Sequence, residues 1–167
     1  GAQTAGMLIA RAAINEGLDA THIPRYGPES RGGTSYGDVR IAVSEVLSPA
    51  VPQPQALVAF NAPSLARFGP AAAPGGVVVY DSTAVGTVPP LPPGLHVLGV
   101  PCTAVASELG RAILKNIVAL GALHEATRLF ADETYLFAIR EALRDKPALI
   151  EVNQRAFAQG QRLARAA

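Results

Sequence analysis

Three short apolar runs, at 56–60, 77–80 and 95–100, limit what this chain can fold into. Ala56-Leu57-Val58-Ala59-Phe60 is uninterrupted, as expected of a strand covered on both faces. Segments with helical spacing or helix signals follow it and its fellows. Asn61-Ala62-Pro63-Ser64 opens a short helix to about Phe68, and a further short helix runs over 103–109 with its cap near Cys102 or Thr103. A longer helix over 113–128 places Ile113, Ile117, Leu120 and Leu123 on one side, and two more follow at 132–143, capped by Asp132, and at 147–165, with Pro147 in its first turn. Ahead of the three runs, residues 4–15 read as a helix stopped by Gly17, 20–23 as a short strand, and 36–43 as a strand with one wet face. Two proline-rich stretches, 48–54 and 87–94, are connectors. The alternation gives an α/β fold, a mainly parallel open sheet flanked by helices in a Rossmann-like three-layer arrangement, with a helical C-terminal part. No strand precedes the first helix, so a first strand of the sheet is missing from this sequence.

Composition narrows the function. The chain has 167 residues, 49% apolar and 16% charged, with a net charge of +1. That is enough length for one domain with a core, and too little basic charge for a nucleic-acid or anionic-membrane partner. Sparse charge fits a surface covered by other protein, or a genome rich in Ala, Gly and Pro codons. One cysteine leaves no internal disulfide, and three scattered histidines add no zinc cluster. No apolar run reaches the roughly 20 residues that cross a bilayer, and no signal peptide is evident, so the expected location is cytoplasmic, without membrane insertion.

The segment Tyr26-Gly27-Pro28-Glu29-Ser30-Arg31-Gly32-Gly33 carries most of the chemistry. Arg31 presents a fork of donors suited to phosphate or carboxylate. Gly32 and Gly33 let the backbone come close to another molecule. Glu29 and Arg31 either pair locally to shape the loop or face outward. A second glycine turn, Gly1-Ala2-Gln3, is a ligand turn or a turn that packs; no GxGxxG or Walker lysine accompanies it. The ends of the apolar runs, at Asn61, Asp81 and Pro101-Cys102-Thr103, belong to a carboxyl edge rich in small polar groups. Asp81 reads as a turn or cap, Cys102 as a buried small hydrophobe, and His22, His96 and His124 as isolated surface or packing residues. Asn116 lies in an otherwise apolar helix, a costly place for a carboxamide without a partner.

These same segments resemble the gamma subunit, or gamma domain, of 2-oxoacid:ferredoxin oxidoreductases. The resemblance runs from Gly1 to about Gly160 and is carried by Gly1-Ala2-Gln3, the Tyr26 to Gly33 loop, Ser48-Pro49, 56–61, Pro74-Gly75-Gly76, Asp81-Ser82, Val100-Pro101-Cys102-Thr103, 116–123 and 146–156. In the family's Gly-x-Gly-Gly-Gln-Gly turn, Ala2 and Thr4 stand here in place of glycines. The resemblance implies one gamma-type catalytic-accessory domain over residues 1–167, without catalytic residues of its own. It implies a complex that converts a 2-oxoacid and coenzyme A to acyl-CoA, carbon dioxide and reduced ferredoxin. This chain would hold no cofactor alone; the complex would carry thiamine diphosphate, magnesium and 4Fe–4S clusters, with coenzyme A as substrate. The partners implied are alpha and beta subunits and, through the complex, ferredoxin or another acceptor. Gly1, Gln3, Tyr26, Glu29, Arg31, Gly32, Gly33, Asn61 and Asn116 would face coenzyme A, another ligand or a partner. A purely structural interface subunit and a stand-alone nucleotide-binding module are the other readings.

Overall fold

Residues 2–26 and 35–167 are described by the computed structural model, and they form two compact units. One comprises Gly1–Val51 with Phe130–Ile150, the other Pro52–Leu129 with Glu151–Ala167.

The second unit holds the parallel sheet: β3 (Ala56–Ala59), β4 (Val77–Asp81) and β5 (His96–Val100), in that order. Ala56 pairs with Val77 and Val77 with His96, so the three strands end together at one carboxyl edge. Helix α2 (Ala62–Phe68) connects β3 to β4, and α3 (Cys102–Glu108) follows β5. Under α2, Ala59, Leu65, Ala72, Val78 and Val85 form a buried cluster, with Leu57, Tyr80, Leu91 and Leu95 packed on it. Helix α4 (Lys115–Thr127) is buried without a break from Asn116 to His124. A helix apolar around its whole circumference has to be enclosed on all sides. On one side it is crossed by α6 (Ile150–Ala166). A Cβ on Gly121 would collide with the Phe157 carbonyl, and one on Gly160 with the Val118 carbonyl. Two glycines thus bring the backbones of α4 and α6 into direct contact.

The first unit is a hairpin covered by helices. Strands β1 (Asp19–Tyr26) and β2 (Ser35–Ala42) pair antiparallel, from Asp19 opposite Ala42 to Tyr26 opposite Ser35. Helix α1 (Ala2–Asn15) lies on them and packs against α5 (Asp132–Ala142). Its buried positions are Ala5, Gly6, Leu8, Ala10, Ala12 and Ala13, all but Leu8 small enough for close approach. Gly17, at φ 82°, ends α1: its N–H reaches the Ile14 carbonyl at 2.9 Å and the Leu18 N–H reaches the Ala13 carbonyl at 3.0 Å. This pair of hydrogen bonds closes the helix as the glycine predicts. Arg40 donates to the Ser48 and Ala50 carbonyls, both at 3.0 Å, fixing the proline-rich stretch to β2.

The α/β fold with a parallel sheet flanked by helices and a helical C-terminal part matches the sequence reading; several local details do not. Strand β1 extends to Tyr26 through Pro24 and Arg25, because pairing with β2 outweighs the weak strand preference of those residues. Helix α1 begins at Ala2, two residues early. Asp132 is the first residue of α5, and its cap position is Ala131. The cap of α3 is Pro101, which has no side-chain bond to offer. Ile113 sits in a 3-10 turn (Ala112–Leu114) ahead of α4 and is more than half exposed, off the buried face assigned to it. Pro147 likewise opens a 3-10 turn, and α6 starts at Ile150.

Candidate functional site

Two places gather the polar residues singled out by sequence, one in each unit. At the carboxyl edge of the parallel sheet, β3 leads through Phe60 to Asn61. The backbone of Asn61 is extended and its Oδ1 accepts from the Ser64 N–H at 2.9 Å, so it is the N-cap of α2. Lys115 holds its ammonium 5.6 Å from the centre of the Phe60 ring.

Beside them β4 ends in Asp81, 1% exposed. Its Oδ1 accepts from the Thr83 N–H at 3.1 Å and the Thr103 N–H at 3.3 Å, and its Oδ2 from the Thr103 hydroxyl. The Thr83 Oγ1 accepts in turn from the Ala104 N–H at 3.2 Å. One buried carboxylate therefore braces the turn after β4 and caps α3 from a neighbouring strand. This use of Asp81 accords with a capping role. Cys102 is fully buried, and burial first, the Asp81 charge second, push its thiol up to about 12. A thiol so raised stays protonated at neutral pH and is not a nucleophile.

Asn116 is the exception at this edge. It is wholly buried at the start of α4, and among the described residues neither its Nδ2 nor its Oδ1 has a hydrogen-bond partner. An unpaired buried amide costs on the order of 1–3 kcal/mol.

In the first unit the polar residues gather where α1 begins. The Gln3 Nε2 donates to the Tyr36 carbonyl at 2.8 Å and to the Ser35 Oγ at 3.2 Å. Its Oε1 lies 3.0 Å from the His22 Nε2. The first turn of α1 is thereby fastened to the first two residues of β2. Tyr26, 71% exposed, closes the same end of the hairpin opposite Ser35. Gly1, Glu29, Arg31, Gly32 and Gly33 lie outside the described residues. Gln3 and Tyr26 are thus brought to one end of the hairpin, while Asn61 and Asn116 belong to the other unit.

Two contributors were missed by sequence reasoning: the Lys115 ammonium over Phe60 and His22 as the partner of Gln3. The capping use of Asp81 had a signal, an Asp-Ser-Thr run directly after an apolar strand. Among the described residues no three His, Cys, Asp or Glu side chains converge to hold a metal ion. Among the described residues no helix is long and apolar enough to cross a membrane.

Comparison with known proteins gives this geometry a lineage. The pyruvate ferredoxin/flavodoxin oxidoreductase family matches residues 1–163. The ketoisovalerate oxidoreductase subunit VorA of Methanothermobacter thermautotrophicus is 37% identical over 99% of this chain, which spans 34% of VorA. The chain therefore has about a third of that relative's length. The 2-oxoglutarate synthase subunit KorC of Methanocaldococcus jannaschii is 31% identical over 96% of this chain and 86% of its own length. Among solved structures, the gamma subunit of a keto/oxoacid ferredoxin oxidoreductase from Geobacter sulfurreducens superposes with a TM-score of 0.83 at 32% identity, covering 99% of this chain and 92% of that one. The 2-oxoglutarate:ferredoxin oxidoreductase of Magnetococcus marinus, solved with 2-oxoglutarate, coenzyme A and succinyl-CoA bound, superposes with a TM-score of 0.84 at 25% identity over 98% of this chain and 29% of that one. With its parallel sheet, its hairpin and its run of matching segments, this chain belongs to the pyruvate ferredoxin/flavodoxin oxidoreductase family.

Proposed function

We propose that residues 1–167 are the gamma-type accessory domain of a thiamine-diphosphate, iron–sulfur 2-oxoacid:acceptor oxidoreductase, and that the domain helps bind coenzyme A and close the active site. Chemistry at the 2-oxoacid belongs to partner alpha and beta subunits, which would hold the thiamine diphosphate, magnesium and clusters and pass electrons to ferredoxin or another acceptor. A cytoplasmic location goes with that assembly. The observation that carries the reading is the hairpin register. Tyr26 and Ser35, the described residues on either side of the segment bearing Glu29, Arg31, Gly32 and Gly33, are paired at one point. That point is fastened to α1 through Gln3. A solved relative with coenzyme A and succinyl-CoA bound supports the choice of ligand.

In this reading Arg31 meets an anionic group, a coenzyme A phosphate or the substrate-side cavity, and Gly32 and Gly33 allow close approach. In the other unit, Asn61 and Asn116 are candidate neutral hydrogen-bonding groups at the sheet edge. The test is Arg31→Ala in the assembled enzyme. Loss of a charge-assisted contact should raise the apparent KM for coenzyme A about tenfold or more. Unchanged coenzyme A dependence would remove Arg31 from the site.

A second reading has its own support. Val43 and Leu47 are 91% and 88% exposed, and such residues suit a covered face. Under that reading the domain fills a subunit interface without touching ligand, and Val43→Glu with Leu47→Glu would abolish assembly while loop variants leave coenzyme A kinetics alone.

A further inference from the structure

We propose that His22 is a positioning residue which acts through Gln3 on the end of the β1–β2 hairpin where Tyr26 faces Ser35. The inference rests on the reading above only for its ligand. Its geometry stands alone.

The Gln3 amide orientation is fixed by its partners. A carbonyl oxygen only accepts, so the group facing the Tyr36 carbonyl at 2.8 Å must be the Gln3 NH2. The Gln3 Oε1 then faces the His22 Nε2 at 3.0 Å, and that nitrogen must carry a proton and donate. Gln3 thus receives one bond from β1 and gives two to β2, to Ser35 and Tyr36. Without the His22 donor, its carboxamide has no anchor on β1.

The space around the pair is made by two missing side chains. A Cβ on Gly6 of α1 would lie 2.9 Å from the His22 Nε2. One on Gly37 of β2 would lie 2.9 Å from the same nitrogen and from the Gln3 Oε1. Glycine on both the helix and the strand admits ring and carboxamide together, where a larger residue at either place would separate them. A histidine that merely filled volume would need the space but not the donor. Burial lowers the His22 pKa, in keeping with a neutral ring that donates from one nitrogen.

The consequence is that the amino end of α1 and the hairpin end move as one body. The sequence presents Gly1-Ala2-Gln3 and the Tyr26 to Gly33 loop as two separate features, with the 22 residues 4–25 between them. The clamp makes their described ends, Gln3, Tyr26 and Ser35, parts of one anchored edge.

The experiment compares His22→Leu, His22→Gln, Gln3→Ala and the double variant Gln3→Ala/His22→Leu in the assembled enzyme. It reads hydrogen exchange of the peptide containing Ser35, Tyr36 and Gly37, together with the coenzyme A KM and kcat. His22→Leu should speed exchange about tenfold and raise KM about fivefold, with kcat within about twofold. His22→Gln, which restores a donor, should recover most of both, and the double variant should be no worse than Gln3→Ala alone. Unchanged exchange in His22→Leu, no recovery in His22→Gln, or additive losses would each overturn the proposal. Faster exchange with glutamine recovery and an unmoved KM would uphold the clamp and sink coenzyme A as the ligand. Should His22→Leu fail to assemble, Gln3→Met removes the same bonds at nearly constant length and carries the same comparison.

Discussion

The two units hold their candidate residues by different means. In the parallel-sheet unit, Asp81 is wholly buried and braces two turns through backbone N–H groups, beside helices whose backbones touch at Gly121 and Gly160. In the hairpin unit, Gln3 and His22 are half-buried, neutral, and joined side chain to side chain. The difference is between anchoring to backbone and anchoring between side chains. Bonds from a buried carboxylate to backbone set position independently of side-chain choice elsewhere. A neutral pair near the surface is weaker and holds only the strand end it touches.

The largest effect should come from the helix crossing. Gly160→Val drives a branched side chain into the Val118 carbonyl and should cost about 3 kcal/mol, lowering Tm by roughly 10 °C. Thermal unfolding by circular dichroism checks this, and an unchanged Tm would mean that the helices do not meet as described. Next is Asp81→Ala, which leaves two N–H groups and a hydroxyl without their acceptor and should cost about 2 kcal/mol by urea unfolding. The same loss in the hairpin unit, Gln3→Ala, should cost about 1 kcal/mol or less, and a reversal of this order would break the contrast between the units. Asn116→Leu should be neutral or stabilising by about 1 kcal/mol, since both amide atoms lack partners. If stability holds while coenzyme A KM rises, Asn116 serves the ligand; if stability falls, the amide has an internal partner.

The smallest effect concerns acid. A hydrogen bond from Arg165, with the charges of Arg128 and Arg165, holds the Glu125 carboxyl below the usual carboxylate range. A depressed pKa contributes stability above the unfolded value, about 4.3, that is lost as pH falls through the folded one. Arg165→Ala should therefore cost under about 1 kcal/mol near neutral pH and nothing well below pH 4. Urea midpoints across that range read the difference directly.

How much of this could be read from the chain follows the same division. The parallel sheet was legible because Leu57, Val58, Val78 and Val79 lie in runs whose only stable setting is a covered strand. Gly17 announced the end of α1, and Asn61 the start of α2, because both signals are local. The cap of α3 was not legible, since its acceptor, Asp81, lies 22 residues upstream. The length of β1 was hidden by Pro24, which local preference treats as a breaker and cross-strand pairing overrides. His22 looked isolated because its partner stands 19 residues away on a helix, and the glycines that admit it, Gly6 and Gly37, carry no sequence mark of that purpose. Asn116 was marked correctly as out of place, although its burial is complete.

The central proposal is that coenzyme A is met at the hairpin end, where Tyr26 faces Ser35, and not at the parallel sheet. Hydrogen exchange of the assembled enzyme with and without coenzyme A tests it most directly. The account predicts that coenzyme A slows exchange in peptides spanning Tyr26 and Ser35 and leaves the β4 peptide, Val77–Asp81, unchanged. Protection confined to the sheet, or no change at the hairpin at saturating coenzyme A, would contradict it.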